Sequence, residues 1–213
     1  MKVAIIGASG FIGSALLAEA LERGHAVTAI VRHPEKITTQ HAHLTIKKGD
    51  VTNVGELAEL IGGQDAVINA FNAPGAPDVV AAYEVATHAL IAAVKKAGVK
   101  RILSVGGAAS LDTAPGQKVI DSPHFPEEWK PLARGTWRAL DILKEEKELD
   151  WTVLSPAAMI APGERTGKFR LGKDQLIADE QGNSRISSAD YAVALIDELE
   201  QPKHSRQRFT LAY

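Results

Sequence analysis

Residues 3–13 read Val-Ala-Ile-Ile-Gly-Ala-Ser-Gly-Phe-Ile-Gly. The four apolar residues predict a strand that is covered on both faces, and the apolar side chains after Phe11 recur at helical spacing. Three glycines separate the strand from the helix. In such a junction Gly7 makes the tight turn, Gly10 lets a pyrophosphate approach the backbone, and Gly13 lets the helix pack close to the sheet. Unpaired N–H groups at the start of the helix would hold the anion, so the stretch predicts a dinucleotide-binding site.

Short apolar runs and longer helical patterns alternate along the rest of the chain. The predicted strands are residues 3–6, 26–31, 44–47, 66–69, 101–105, 151–154 and 208–212. The predicted helices are residues 11–23, 53–61, 78–97, 132–148 and 188–200. Strands that alternate with helices form right-handed parallel units. We therefore expect one α/β domain over residues 1–213, a three-layer, Rossmann-like, doubly wound parallel sheet with strand order 3-2-1-4-5-6, one further C-terminal strand and a small C-terminal substrate-side region.

Two segments depart from this alternation. Residues 106–130 are rich in Gly, Pro, Ser and Asp, and residues 157–183 are also irregular. Long irregular segments in a compact domain are usually functional or disordered. We expect both segments to form the substrate side of the cleft.

The composition excludes several classes of protein. The 213 residues include 24 Lys and Arg and 26 Asp and Glu, for a formal net charge of −2, and no cysteine. The charge balance argues against a general nucleic-acid binder, and the absence of cysteine excludes disulfides and thiolate nucleophiles. His41 and His43 share strand-like spacing but have no evident third ligand, so we expect no metal site.

The location and the partners follow from the same composition. No apolar stretch approaches the roughly 20 residues that span a bilayer, and none is typical of a secretory signal. We expect a cytoplasmic protein that acts on a small molecule and not at a membrane. The sequence leaves open whether it is a monomer or a homodimer.

The end of the second predicted strand bears on the type of cofactor. A free ribose 2′-hydroxyl is usually bound there by an acidic residue, but residues 30–33 contain none. Arg32 stands there instead, and a guanidinium suits a 2′-phosphate. With Lys36 as a helper, Arg32 predicts NADP, with NAD as the alternative. Asp50 and Val51 follow the third strand, where adenine would lie, and Asp50 either accepts a hydrogen bond from the adenine amino group or caps the next helix.

Several stretches together resemble the atypical short-chain dehydrogenases/reductases. Within that group the chain is most similar to the proposed NADH-flavin reductases, a family also described as NAD-dependent epimerase/dehydratase-like. The similar stretches are residues 7–13, 31–36, 49–51, 69–75, 104–110, 149–156 and 186–192, so the resemblance runs through nearly the whole chain. The cofactor contacts it implies are Ser9, Phe11, Ile12, Arg32, Asp50, Ala70, Phe71 and Asn72, with Pro156 beside the nicotinamide. It also implies that Ser104 aligns with the catalytic serine.

One motif of that superfamily is missing, the Tyr-x-x-x-Lys pair that exchanges the substrate proton. Thr87 follows four residues after Tyr83, Leu195 follows four after Tyr191, and Tyr213 ends the chain. Flavin reduction tolerates this loss, because it mainly requires two flat rings at near-attack distance while water meets the proton balance. The expected activity is therefore NAD(P)H-dependent reduction of a flavin, FMN or FAD, or of a similar flat conjugated acceptor.

Two other functions remain open. One is a carbonyl reductase or epimerase/dehydratase-like enzyme that uses Ser104 with a non-standard acid. The other is a redox-sensing regulator that binds the dinucleotide and a protein partner without turnover. His124 is a second candidate catalytic residue, as a donor to the substrate, or else a surface histidine. The candidates for the wall of a flat-ring pocket are Phe71, Phe125, Trp129, Trp137 and Met159.

Overall fold

The computed structural model describes all 213 residues. The helices are α1 (Phe11–Glu22), α2 (Val54–Ile61), α3 (Val79–Ala97), α4 (Lys130–Glu145) and α5 (Ser188–Glu200). The first strands are β1 (Lys2–Ile6), β2 (Ala26–Val31), β3 (Leu44–Lys48), β4 (Ala66–Asn69), β5 (Arg101–Val105) and β6 (Asp112–Ala114). The later strands are β7 (Gln117–Lys118), β8 (Asp150–Ser155), β9 (Met159–Ala161), β10 (Arg170–Gly172), β11 (Arg185–Ser187) and β12 (Gln207–Ala212).

Eight strands form the central sheet, in the order β10-β12-β8-β5-β4-β1-β2-β3. Every pairing is parallel except that of β10 with β12. The expected Rossmann-like order is confirmed, with β8 as the sixth parallel strand and β12 as the further C-terminal one. The edge strand β10 and the two small sheets, β6 with β7 and β9 with β11, were not predicted.

Both faces of the sheet are covered, which explains the continuous apolar run of β1. Val3 and Ile5 belong to the core beneath α1 and α5, whereas Ala4 and Ile6 belong to the core beneath α2, α3 and α4. Because successive side chains of a strand point to opposite faces, all four are buried in one layer or the other. The fold therefore has three layers.

Polar side chains cap three of the five helices at their first residues. The carboxylate of Asp78 accepts the Ala81 N–H at the start of α3 (3.0 Å), and the hydroxyl of Ser187 accepts the Asp190 N–H at the start of α5 (2.9 Å). The expected bounds of α4 were wrong by two or three residues. This helix begins earlier because Pro131 needs no backbone donor in the first turn, and it ends earlier, where the Glu146 carboxylate accepts the N–H groups of Glu148 and Leu149 in the turn that follows.

The segment 157–183 is built into the domain by two buried carboxylates. Asp190 accepts hydrogen bonds from the Thr166 hydroxyl (2.6 Å) and the Gly167 N–H (2.7 Å). Glu19 of α1 accepts two hydrogen bonds from the Arg165 guanidinium, at 2.7 and 2.8 Å. The segment is therefore anchored on the α1–α5 face. None of the helices is long and apolar enough to cross a membrane.

Candidate dinucleotide-binding site

A cavity of about 820 Å³ lies at the carboxyl ends of β1, β2, β3 and β4. The chain leaves β1 and β4 in opposite directions, which makes this the switch point where open α/β sheets bind ligands. The predicted cofactor residues that line the cavity are Gly7, Ser9, Gly10, Phe11, Arg32, Asp50, Val51, Ala70, Phe71 and Asn72. Ile12, Gly13 and Pro156 are not in its lining.

The glycine turn is packed so closely that no side chain fits. Gly7 has φ +77°, and a Cβ there would lie 2.5 Å from the Ala70 carbonyl oxygen. A Cβ on Gly13 would lie 2.1 Å from the Gly7 carbonyl oxygen. Gly13 therefore lets the first turn of α1 pack directly against the glycine turn. Helix α1 begins with neither a side-chain cap nor an acidic residue in its first turn. The first N–H groups therefore remain available to an anion, and the residues fit a dinucleotide pyrophosphate.

The cationic end of β2 forms another part of the cavity. Arg32 and Lys36 are exposed, line the cavity and have no ion-pair partner, whereas the neighbouring His33 lies 3.1 Å from Glu35. Two unpaired cations at this place fit the phosphate on the ribose of NADP. Sequence spacing predicted both residues.

Asp50 is exposed and its carboxylate turns toward the following residues. It accepts hydrogen bonds from the Thr52 N–H (2.9 Å) and the Thr52 hydroxyl (2.8 Å). The Thr52 N–H, helped by the charge of Arg32, holds the pKa of Asp50 below its ordinary value. The interpretation of Asp50 as the cap of α2 was wrong, because Asn53 directly precedes the helix and accepts the Glu56 N–H.

Tyr83 supports the loop of residues 70–72 that lines the cavity, a role the sequence did not reveal. Its hydroxyl lies 3.3 Å from the Asn72 side-chain oxygen and 3.4 Å from the Phe71 carbonyl oxygen, and donates to one of them. Its ring packs edge-to-face on Phe71 at 5.3 Å between centroids. Burial raises the pKa of Tyr83 well above its ordinary value, so the hydroxyl stays protonated. These contacts depend on the conformation of the loop, so the helical pattern of α3 does not reveal them.

The two predicted catalytic residues lie outside this cavity. Ser104, near the end of β5, is 4 % exposed, and its hydroxyl has no hydrogen-bond partner. His124 is exposed on the segment after β7, and only its backbone N–H is bonded, to the Ser122 hydroxyl. Ser104 is the register partner of Asn69, which directly precedes Ala70 of the cavity lining, and the catalytic roles of Ser104 and His124 stay predictions.

The predicted flat-ring residues divide among three places. Phe71 lines the dinucleotide cavity, whereas Phe125 and Trp137 line a second cavity beside α4. Trp129 and Met159 line neither cavity and are about half exposed.

Comparison with known proteins agrees with the geometry of the glycine turn. A family described as NAD(P)H-binding matches residues 7–202. The chain belongs to this NAD(P)H-binding family.

The similarity to individual relatives extends over nearly the whole length of the chain. The uncharacterized protein YwnB of Bacillus subtilis is 45% identical over 99% of the chain and 98% of YwnB. A structure from Bacteroides thetaiotaomicron, named as a proposed epimerase, is 53% identical with a TM-score of 0.91, covering 100% of this chain and 96% of that one. A structure from Streptococcus pneumoniae, named as a proposed NADH-flavin reductase, is 39% identical with a TM-score of 0.87, covering 100% and 99%. The predicted resemblance is confirmed, and the protein is an oxidoreductase-like NAD(P)H-binding protein.

Proposed function

We propose that the protein is an NAD(P)H-dependent reductase, with NADP as its preferred cofactor, that reduces FMN, FAD or a similar flat conjugated small molecule. The observation that carries this proposal is the chemistry of α4 where it faces the end of β5. Its residues there are Gly135 and Thr136, which lie against Tyr83 and Gly107. Neither of these α4 residues exchanges a proton near neutral pH, so a reaction that needs no protein acid suits the site best.

The neighbouring hydroxyl groups give no substitute acid. The Thr136 hydroxyl donates to the Ala133 carbonyl oxygen at 3.0 Å and is thereby engaged. Tyr83 has no lysine beside it, and burial raises its pKa instead of lowering it. An alcohol dehydrogenase or epimerase of the usual short-chain type requires a tyrosine with the opposite shift.

A bound nicotinamide would supply a hydride from C4 to flavin N5, which with a proton from water gives NAD(P)⁺ and the reduced flavin. The chain's own residues then have to bind the dinucleotide and the acceptor and to orient their rings. The N-terminus of α1 binds the pyrophosphate, and Arg32 with Lys36 binds the 2′-phosphate. The loop of residues 70–72, supported by Tyr83, would form one wall of the cofactor site. The name of the Streptococcus pneumoniae relative agrees with this chemistry.

NADPH oxidation without oxygen, followed by nicotinamide absorbance, tests the proposal. Four reactions are compared, with FMN, with riboflavin, with a carbonyl compound and without any acceptor. We expect stoichiometric oxidation with a flavin and none without an acceptor. Turnover with the carbonyl compound alone would favour a carbonyl reductase, and tight NADPH binding without any turnover would favour a sensor.

A further inference from the structure

A second cavity of about 440 Å³ lies beside the first two turns of α4 and is closed by residues from the segment 106–130. It shares no lining residue with the dinucleotide cavity. The first turns of α3 line one cavity and the first turns of α4 line the other. The two helices touch between them where Gly135 meets Tyr83. Both cavities therefore lie at the same edge of the sheet, on adjacent helices.

The lining of this second cavity includes two carboxylates, Asp121 and Glu127, and two cations, Lys130 and Arg134, so its formal charge is zero. Lys130 forms an ion pair with Glu127, and the Asp121 carboxylate accepts the Lys118 N–H at 2.8 Å. Arg134 lines the cavity, but its guanidinium has neither an ion-pair partner nor a hydrogen bond in the structure. Arg134 is therefore the one charged side chain of this lining without a hydrogen bond, and its guanidinium is free to bind an anion.

Two aromatic side chains complete the lining. Phe125 and Trp137 are each half-buried and face the cavity from the segment 106–130 and from α4. Flat rings stack on such side chains, and a guanidinium binds a phosphate through two parallel hydrogen bonds. A cavity with both features suits a planar aromatic molecule that carries an anionic group.

We propose that this second cavity is the acceptor site and that it selects a flat acceptor bearing a phosphate. Arg134 binds the phosphate, while Phe125 and Trp137 contact the ring system. The identification of this ligand as the hydride acceptor rests on the proposed reductase function, but its binding does not. FMN is then preferred over riboflavin, which has the same ring and no phosphate.

Quenching of flavin fluorescence by the full chain saturated with NADP⁺ measures this binding directly. We expect Arg134→Gln to weaken FMN about tenfold, the usual value of a lost charge-assisted hydrogen bond, and riboflavin less than twofold. Arg138→Gln is the matched control, because it removes the same charge from the same helix. Arg138 pairs with Glu84 at 2.8 Å and does not line the cavity. It should change neither affinity more than twofold.

Three results would overturn the site: equal affinity of the wild type for FMN and riboflavin, an equal effect of the two arginine variants, or no binding of FMN. The reductase function is tested separately by NADPH oxidation. If the variants discriminate as expected in binding but no flavin is reduced, the function fails and the site stands. If both flavins are reduced equally by the wild type and by Arg134→Gln, the site fails and the function stands.

Discussion

Gly135 of α4 lies so close to Tyr83 of α3 that a Cβ on the glycine would be 2.6 Å from the ring carbon Cδ2. The same tyrosine supports Phe71 and Asn72, which line the dinucleotide cavity. The glycine therefore allows one buried ring to connect α4 with the loop that lines this cavity.

Gly135→Ala should destabilise the protein by about 1–3 kcal/mol, because the added methyl group overpacks a buried ring. This loss should exceed the gain of up to about 1 kcal/mol that alanine brings to a helix. Gly55→Ala in α2 is the control, since its nearest neighbouring atom would be 3.8 Å away. Urea denaturation measures both variants. Stabilisation by both substitutions would show that Tyr83 moves aside freely.

The sequence predicted the parts of the fold that depend on local pattern. The run Val3–Ile6 and its glycines predicted the central strand and its turn because both depend on neighbouring residues. Strand β10 was missed because its residues 170–172 show no strand pattern of their own and become a strand only by pairing with residues 210–212 of β12. Pairings between such distant residues leave little local trace.

The features of the candidate site also differ in whether local sequence pattern could predict them. Arg32 ends the second predicted strand and Asp50 follows the third, so the sequence predicted both positions. The strand order placed β5 between β4 and β8, but the lack of a hydrogen-bond partner for the Ser104 hydroxyl depends on side-chain packing that no local pattern reveals. The cavity at Arg134 depends likewise on how the segment 106–130 folds back onto α4.

Gly13→Ala should weaken NADPH binding more than about tenfold, because the new methyl group displaces the Gly7 carbonyl and distorts the phosphate turn. Titration of NADPH fluorescence measures the effect. Ser14→Ala is the control on the same helical turn, as the Ser14 hydroxyl only donates to the Phe11 carbonyl oxygen. Its affinity should stay within twofold of the wild type. Unchanged binding by Gly13→Ala would contradict the assignment of the glycine turn.

Arg32→Asp should reduce the preference for NADPH over NADH about tenfold or more, because it replaces a phosphate-binding cation with a carboxylate. The ratio of the two dissociation constants is the measurement, so the test does not require turnover. Lys47→Asp is the matched control, since Lys47 is exposed on the neighbouring β3 and lies outside the cavity. The role of Arg32 is wrong if both variants shift the ratio equally.

Asp190 gives a prediction about pH. Burial raises the pKa of this carboxyl group, but hydrogen bonds donated by Thr166, Gly167 and Tyr213 outweigh burial and hold it below the ordinary 3.8. A lowered pKa in the folded state contributes stability that is present above the unfolded pKa and is lost as the pH falls through the folded one. Asp190→Asn should therefore cost about 1–3 kcal/mol of unfolding free energy at neutral pH.

The difference between Asp190→Asn and the wild type should shrink once the pH falls below about 4, because the wild-type carboxyl then takes up its own proton. Urea denaturation at a series of pH values measures it. Asp141→Asn serves as the control, since the Asp141 side chain is 44% exposed and its oxygen lies 3.9 Å from the Lys144 ammonium. That variant should stay within about 0.5 kcal/mol of the wild type at every pH. A gap for Asp190→Asn that stays constant down to strongly acidic pH would mean that the lost stability comes from packing and not from the charge of Asp190.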